Sequence, residues 1–308
     1  ARAVQTPSDL YRFTTDADRS GGGSGVLVVA LGAFIDAGQV QRLLSEHLIG
    51  TGHASMVATF DVDQLFDYRG RRPTMIFDTN RWAAYEVPSM VMQRLTDRDG
   101  HPYHLLTGPE PDFQWERVVA AVRELVVELG VRLVVTVNGI PMGVPHTRPV
   151  GMTAHATDTS LIRDVHSPFG RVQVPATIGA LLELRLGESG HQSAGFAIHV
   201  PHYLAASEYA EGALAALNAI VDVTGLNLPN DDLVARAEEN RRAIAAEVEG
   251  NDEVGAVVAA LEQQYDAFVQ GQHRPNLWAI EGSDIPSADQ LGAEFENFLR
   301  TVSDDESD

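Results

Sequence analysis

The segment Val26-Leu-Val-Val-Ala-Leu31 is apolar at every position, and Leu133-Val-Val-Thr-Val137 is nearly so. A strand with one wet face alternates polar and apolar residues, whereas a strand that is apolar throughout is buried on both faces, as in a parallel sheet covered by helices. Helical patterns adjoin both runs. Residues 39–49 place Val40, Leu43, Leu44 and Leu48 on one face. Residues 112–129 place Val118, Val122, Leu125, Val126 and Leu129 on one stripe, with Asp112 as N-cap and Gly130 as C-cap. This alternation points to the α/β class: three layers, α/β/α, around a mainly parallel mixed sheet.

Further strands are expected over residues 56–60, 74–77, 103–107, 151–156 and 194–200. Residues 175–186 read as a helix with Pro175 in its first turn, and residues 209–223 as an alanine-rich helix ending at Gly225. Trp82 and Tyr85 fall in an apparent loop, either as an interface anchor or as buried rings. From Pro229 the strand signals stop. A helix capped by Asn230 or Asp231 runs to Val248, Gly250-Asn-Asp252 turns the chain, and a second helix carries Val254, Val257, Val258, Leu261, Tyr265 and Phe268. Ser287 and Gln290 make a capping-box pattern before a last helix to Arg300, and residues 301–308 form an acidic tail expected to be disordered. The expected division is an α/β domain over 1–229, a helical hairpin subdomain over 230–300 and the tail over 301–308.

Composition removes several kinds of chemistry. There is no cysteine, so disulfides, thiolate zinc sites and cysteine nucleophiles are excluded. All 22 cationic residues are Arg, which excludes Schiff-base lysines and the lysine of a phosphate-binding loop. Net charge of −21 disfavours nucleic acid and anionic membranes as partners. No apolar run is long enough to span a bilayer, and ARAVQTPSDLYRF carries no signal-peptide core, so the cytoplasm is the expected location. The glycine cluster at 21–25 precedes its strand instead of following it, which suits a turn better than a dinucleotide fingerprint. The spacing Gly-x-Ser-x-Gly is absent, so a nucleophile elbow is not expected. Asp61, Asp63 and Asp67 read as a solvated acidic loop.

In an open α/β sheet, ligands bind beyond the carboxyl ends of the strands. Residues 32–38, 107–111, 138–148 and 201–203 lie there, supplying Gly32, Asp36, Glu110, Asn138, His146, Thr147, Arg148 and His202 as ligand or interface candidates. The stretch NGIPMGVPHTRPV, residues 138–150, is the densest of them. If these segments converge, an anion held by Arg148 and a base at His146 or His202 would suit phosphorolysis or hydrolysis. The competing structural reading makes Asn138-Gly139 and Met142-Gly143 ordinary turns stiffened by Pro141, Pro145 and Pro149. His101/His104 and His199/His202 have a metal-compatible spacing without a nearby third ligand, so no metal and no cofactor are expected.

The ordered series VLVVALGAFIDAG, LTGPEPDFQWERVVAAVRELVVELGVRLVVTVNGIPMGVPHTRPV, the following Ala156-Thr-Asp158, PATIGALLELRLGESG and Pro201-His-Tyr203 resembles the proteasome assembly chaperone 2 family in its actinobacterial form. The resemblance covers roughly residues 24–229, with the PHTRP loop as its most specific part. It implies a phosphorylase/hydrolase-like α/β body, self-association as a homo-oligomer with a trimer as the working number, and proteasome subunits as partners. It implies no active site, since fold does not transfer chemistry. Relatives dock through a C-terminal hydrophobic-Tyr-X tail; the sequence here reads Asp305-Glu-Ser-Asp308. Three functional readings follow: a non-catalytic oligomeric protein-binding factor; a hydrolase or phosphorylase acting through His146, Arg148 and Asp36; and a small-molecule sensor using the same crevice without turnover.

Overall fold

The computed structural model describes residues 6–14, 25–32, 35–162 and 170–269. In chain order its strands are β1 (Tyr11–Phe13), β2 (Val26–Gly32), β3 (Ser55–Phe60), β4 (Met75–Asp78), β5 (Arg81–Tyr85), β6 (Val91–Thr96), β7 (Pro102–Pro109), β8 (Leu133–Met142), β9 (Met152–Ala156) and β10 (Gln192–Pro201). Its helices are α1 (Val40–Thr51), α2 (Trp115–Glu128), α3 (Ile178–Glu188), α4 (Ala210–Thr224), α5 (Asp231–Glu249) and α6 (Asp252–Val269). Eight strands form one sheet in the order β1-β3-β6-β7-β2-β8-β10-β9. The four central strands β7, β2, β8 and β10 are parallel, and antiparallel pairs flank them on both sides. The two wholly apolar runs are the middle of this parallel centre, as their burial on both faces requires.

Alternate residues feed two cores. Val28, Ala30, Val135, Val137, Ile198 and Val200 meet α1 and α4 on one face. Leu27, Val29, Leu31 and Val134 meet α2 and α3 on the other. The first core also takes in Leu233, Ala237 and Ile244 of α5, while α6 buries only Val258 and Leu261. Among the described residues no helix is long and apolar enough to cross a membrane.

Several boundaries differ from the sequence reading, each for a local reason. β8 does not stop at Val137, because Asn138 to Met142 stay in parallel register with Ala197 to Pro201 of β10. Pairing with β2 ends at Thr136, so Pro141 sits where one side of the strand is free and its missing N–H is tolerated. Asn138-Gly139 is therefore strand, not turn. α2 begins at Trp115 after Gln114, whose φ of 61° is left-handed. Asp112 does not cap it, because its carboxylate accepts from the backbone N–H of Asp67 at 2.7 Å and from Arg71. The other end of α2 is as expected: Gly130 has a φ of 67°, its N–H donates to Val127, and the N–H of Val131 donates to Val126, the paired bonds of a Schellman turn. α3 is capped by Thr177, whose hydroxyl accepts from the N–H of Ala180, so Pro175 precedes the helix. Trp82 and Tyr85 lie in β5, which pairs with β4 as a separate two-stranded sheet. The expected helix at 287–300, the tail at 301–308 and most of the glycine cluster at 21–25 lie outside the described residues.

Candidate functional site

The carboxyl ends of β7, β2, β8 and β10 share one edge of the sheet, and α2, α1 and α4 start from it. So does α3, whose first N–H meets Glu110 just beyond β7. Helix starts leave backbone donors unpaired and favour anions. Here the protein fills three of them with its own acceptors. Asp36 accepts from the N–H groups of Gln41 at 2.9 Å and Arg42 at 3.3 Å in α1, and also from the N–H of Gly139 in β8. It thus caps a helix whose own N-cap residue, Gln39, is left-handed and makes no side-chain cap. Burial raises the pKa of Asp36, and these three amide bonds oppose the rise. Glu110, also buried, accepts from the N–H of Ile178 at 2.7 Å. The side chain of Asn240 accepts from Ala210 at the start of α4 at 3.2 Å.

Past β8 the loop carries His146, Thr147 and Arg148. The backbone N–H of His146 donates to the Tyr203 hydroxyl at 2.8 Å, and that hydroxyl lies 2.8 Å from His146 Nδ1. Burial lowers the pKa of His146, which favours the neutral ring, and the Tyr203 hydroxyl occupies its Nδ1 edge. Thr147 donates to Glu262 of α6. Arg148 binds Asp266 of α6 in bidentate fashion, Nε to Oδ1 at 2.8 Å and Nη2 to Oδ2 at 2.7 Å, and reaches Glu262 at 3.2 Å. The hydrogen bond to Asp266 raises the pKa of Arg148, and the same bond lowers that of Asp266. The loop is clasped to α6 by the cation that was expected to meet an anion.

The remaining candidates lie apart. His202 is exposed, its ring edge-on to Tyr203 at 5.5 Å. Gly32 ends β2 and its carbonyl accepts from the N–H of Glu110 at 2.8 Å, on the α3 side. Asn138 is half-buried in β8, in alternation with Val134 of the core that α2 and α3 cover. The eight candidates thus lie apart: Asp36 at α1, Gly32 and Glu110 at α3, Asn138 within β8, and His146, Thr147, Arg148 and His202 around Tyr203 and α6.

The paired histidines separate as well. Burial pushes His104 and His199 down to about 4, whereas His101 and His202 are exposed. His199 Nε2 lies 2.8 Å from the Thr153 hydroxyl, and its backbone N–H donates to Gly151 at 2.9 Å, pinning the far end of the loop that holds His146. Among the described residues, Asp97, Asp99 and His101 could share a cation, but the buried Asp97 carboxylate already accepts from the N–H groups of Asp99, His101 and Asn227. That carboxylate fastens the β6–β7 turn to the segment before α5.

Sequence reasoning missed Tyr203, Glu262 and Asp266 as partners, since each is remote in the chain and only the folded register brings it to the loop. It expected the strand at 74–77, which is β4, but read Trp82 and Tyr85 of β5 as loop. That hairpin leaves Met75, Ile76, Phe77, Trp82, Tyr85 and Val87 exposed, with Trp82 at 65% and Val87 at 68%. Its root is fixed by Arg71, which donates to Glu110 and Asp112 and lies over the Phe66 ring at 5.5 Å. Arg69, Arg72 and Arg81 make no ion pair among the described residues.

Comparison with known proteins agrees with this architecture. The profile of the PAC2 family matches residues 30–248. A Mycobacterium tuberculosis protein of unknown function, Rv2714, is 42% identical, with 85% of this chain and 90% of that one covered and a TM-score of 0.82. A Corynebacterium glutamicum protein of unknown function is 35% identical over 86% of this chain and 99% of that one, with a TM-score of 0.80. The M. tuberculosis proteasome-assembly chaperone homologue Rv2125 shares the fold at 24% identity, over 76% of this chain and 99% of that one, with a TM-score of 0.69. No curated protein matches the chain.

Proposed function

Because the chain belongs to the PAC2 family, we propose that it is a non-catalytic, self-associating protein-binding factor of the proteasome-assembly-chaperone type, working in the cytoplasm on proteasome subunits. The observation that carries this reading is the contrast along one sheet edge. The hairpin offers a cluster of exposed apolar side chains, including Phe77 and Trp82 in edge-to-face contact at 5.1 Å, on a rigid root. Exposed aromatic clusters of this kind mark protein interfaces. Along the rest of the edge the polar residues are already engaged: Asp36 caps α1, His146 is held by Tyr203, and Arg148 is paired with Asp266. A base and an anion-binding cation act through free lone pairs and free N–H groups, so these contacts support the binding reading over a hydrolase or phosphorylase. The likeness to a proteasome-assembly chaperone homologue supports the choice of partner class. Residues 230–300 enter this reading as a helical arm, with α5 seated on the α/β body and α6 holding the loop at 143–151.

The test is retention on the immobilised chain of separately purified proteasome α- and β-subunits from an actinobacterium, read by mass spectrometry. Retention of α-subunits at micromolar concentration is the expected result. Consistent absence of both subunits removes the proteasome from the reading. Turnover of phosphate esters or nucleosides that disappears in Arg148→Met would instead restore the enzyme.

A further inference from the structure

The eight-stranded sheet ends in β1 on one side and β9 on the other. β1 is three residues long, and so short an outer strand offers little to pair with. β9 is different. It pairs with β10 in unbroken antiparallel register from Met152 to Ala156, and among the described residues no strand lies on its other side. The N–H of Thr157 donates to Ser193 and that of His199 to Gly151, so by alternation Gly151, Thr153, His155 and Thr157 bond to β10. Met152, Ala154 and Ala156 therefore turn their N–H and C=O groups outward. Outer strands are usually guarded by charges, prolines or bulges, yet Met152-Thr-Ala-His-Ala156 has no Pro, Arg or acid. Its one ionisable ring folds back over the sheet. His155 Nδ1 lies 2.9 Å from both carboxylate oxygens of Glu183 in α3, and its Cε1 occupies the space that a Cβ at Gly195 would need. Two alanines and an inward histidine leave the row of peptide groups open to another strand.

α6 ends near this edge. Asp266 in its last turn binds Arg148, and Val269 follows three residues later. Met152 lies four residues past Arg148, about 14 Å of extended chain at most. Residues 270–308 lie outside the described residues. Their longest uninterrupted apolar run is Leu277-Trp-Ala-Ile280, set between Pro275-Asn276 and Gly282-Ser-Asp284, which is the pattern of a short strand bounded by turn residues. Residues 270–276 join it to α6 and can span up to about 25 Å, enough to bring it to Met152. We propose that residues 277–280 add to the free side of β9 as a ninth strand of the same sheet. Entering from the Met152 end, the added strand runs parallel to β9. Strand addition draws its affinity from main-chain hydrogen bonds, which the outward groups of Met152, Ala154 and Ala156 supply. So short a tether holds the segment at about millimolar effective concentration, which favours it over a strand from any free partner. A covered β9 completes the sheet on this side, so contacts with other chains use other surfaces.

The experiment uses the full chain and a full-length variant, Trp278→Pro with Ala279→Pro, in which two successive prolines block strand pairing in any register. Hydrogen exchange is followed residue by residue. In the unaltered chain the amide of Ala154 should exchange at least tenfold more slowly than in the variant, while amides of β10 stay equal in both. A second measurement uses the absence of cysteine from the chain. Ala154→Cys is combined with Ala279→Cys in one variant and with Ile280→Cys in another, so that each face of the added strand is sampled. One of the two should close a disulfide within a single chain under mild oxidation, read by mass spectrometry of the non-reduced protein. Equally fast exchange at Ala154 with and without the prolines would show the edge to be bare and overturn the proposal. Slow exchange that the prolines leave unchanged would give the edge to another part of the molecule and overturn it too. Disulfides that form only between chains would assign the strand to a second copy, with the same consequence. Each of these outcomes leaves the test on proteasome subunits untouched.

Discussion

The loop at 143–151 and the hairpin of β4 and β5 stand on the same edge of one sheet, and the chain finishes one and leaves the other bare. At the loop, a buried His146 is bonded to Tyr203, His199 pins the far end, and Arg148 is held by two carboxylates of α6. At the hairpin, six large apolar side chains face outward, and Arg69, Arg72 and Arg81 have no ion partner among the described residues. Residue types alone mark the loop as the place for chemistry, since His, Thr and Arg crowd into it. Geometry reverses the emphasis, because a group satisfied inside the chain has little left for a ligand. The comparison predicts two kinds of mutational effect: changes in the loop and its supports alter stability, and changes in the hairpin alter association.

The largest effect is expected at Gly139, which joins the loop strand to the start of α1. A Cβ there would stand 2.0 Å from the carbonyl oxygen of Ala37, which is backbone and cannot step aside. Gly139→Ala should cost about 3 kcal/mol or more, measured by urea denaturation, because α1 and β8 must separate. A loss below about 1 kcal/mol would show that this end of the edge is looser than its bonds suggest.

His199 gives the next effect, through pH. Burial holds its folded pKa at about 4, against an ordinary value of 6.5. As pH falls from 6.5 toward 4, the unfolded chain takes up a proton that the folded chain refuses, so stability declines across that window. A shift of this size corresponds to about 3 kcal/mol in all. His199→Asn should flatten the stability profile between pH 6.5 and 4 relative to the unaltered chain. His104, also held at about 4, keeps part of the slope in the variant. An unchanged profile would mean that His199 does not titrate as its burial implies.

Trp82 tests the opposite end. Its side chain is exposed, so Trp82→Ala should leave the melting temperature within about 2 °C. As the largest exposed ring of the hairpin it should still weaken self-association by about tenfold or more, measured by analytical ultracentrifugation. A variant that melts earlier but associates normally would place the ring in the core of the chain and erase the contrast between the two regions. Asp36→Ala should cost about 1 kcal/mol, the usual price of a lost helix cap, read in the same urea titration. Loss of a measurable catalytic rate in that variant, with stability unchanged, would reopen the enzymatic reading of the loop.

What was legible in the sequence followed from local periodicity. The runs in β2 and β8 and the stripes of α1 and α2 imply a covered α/β sheet, and Gly130 marks the end of α2 because only a left-handed residue closes that turn without strain. Less was legible where a remote partner decides. β6 reads Val-Met-Gln-Arg-Leu-Thr, whose polar residues conceal a strand that β3 and β7 stabilise from either side. β8 runs on to Met142 because β10 continues beside it. Asp36 and Glu110 were visible as acids at strand ends, but nothing near them in sequence says that one caps α1 and the other α3. Exposure of the hairpin was equally hidden, since apolar rings suit a core as well as an interface.

The smallest effect is expected at Arg148, and it bears most directly on what the loop is for. Its pairs with Asp266 and Glu262 join half-exposed side chains, so solvent screens them and their contribution to global stability should be small. Their local effect should be clearer, because α6 buries only Val258 and Leu261 and has few other ties. In Arg148→Met, backbone amides of residues 258–269 should exchange several-fold faster with solvent while those of α4 stay unchanged. Acid should act alike in the unaltered chain. Arg148 holds the pKa of Asp266 below its ordinary value, so the pair is intact above the usual aspartate range and is lost as pH falls through the lowered value. Equal exchange in α6 with and without Arg148 would show that the helix is held by its two buried apolar residues alone. Arg148 would then be the one cation of the finished region still available to a partner.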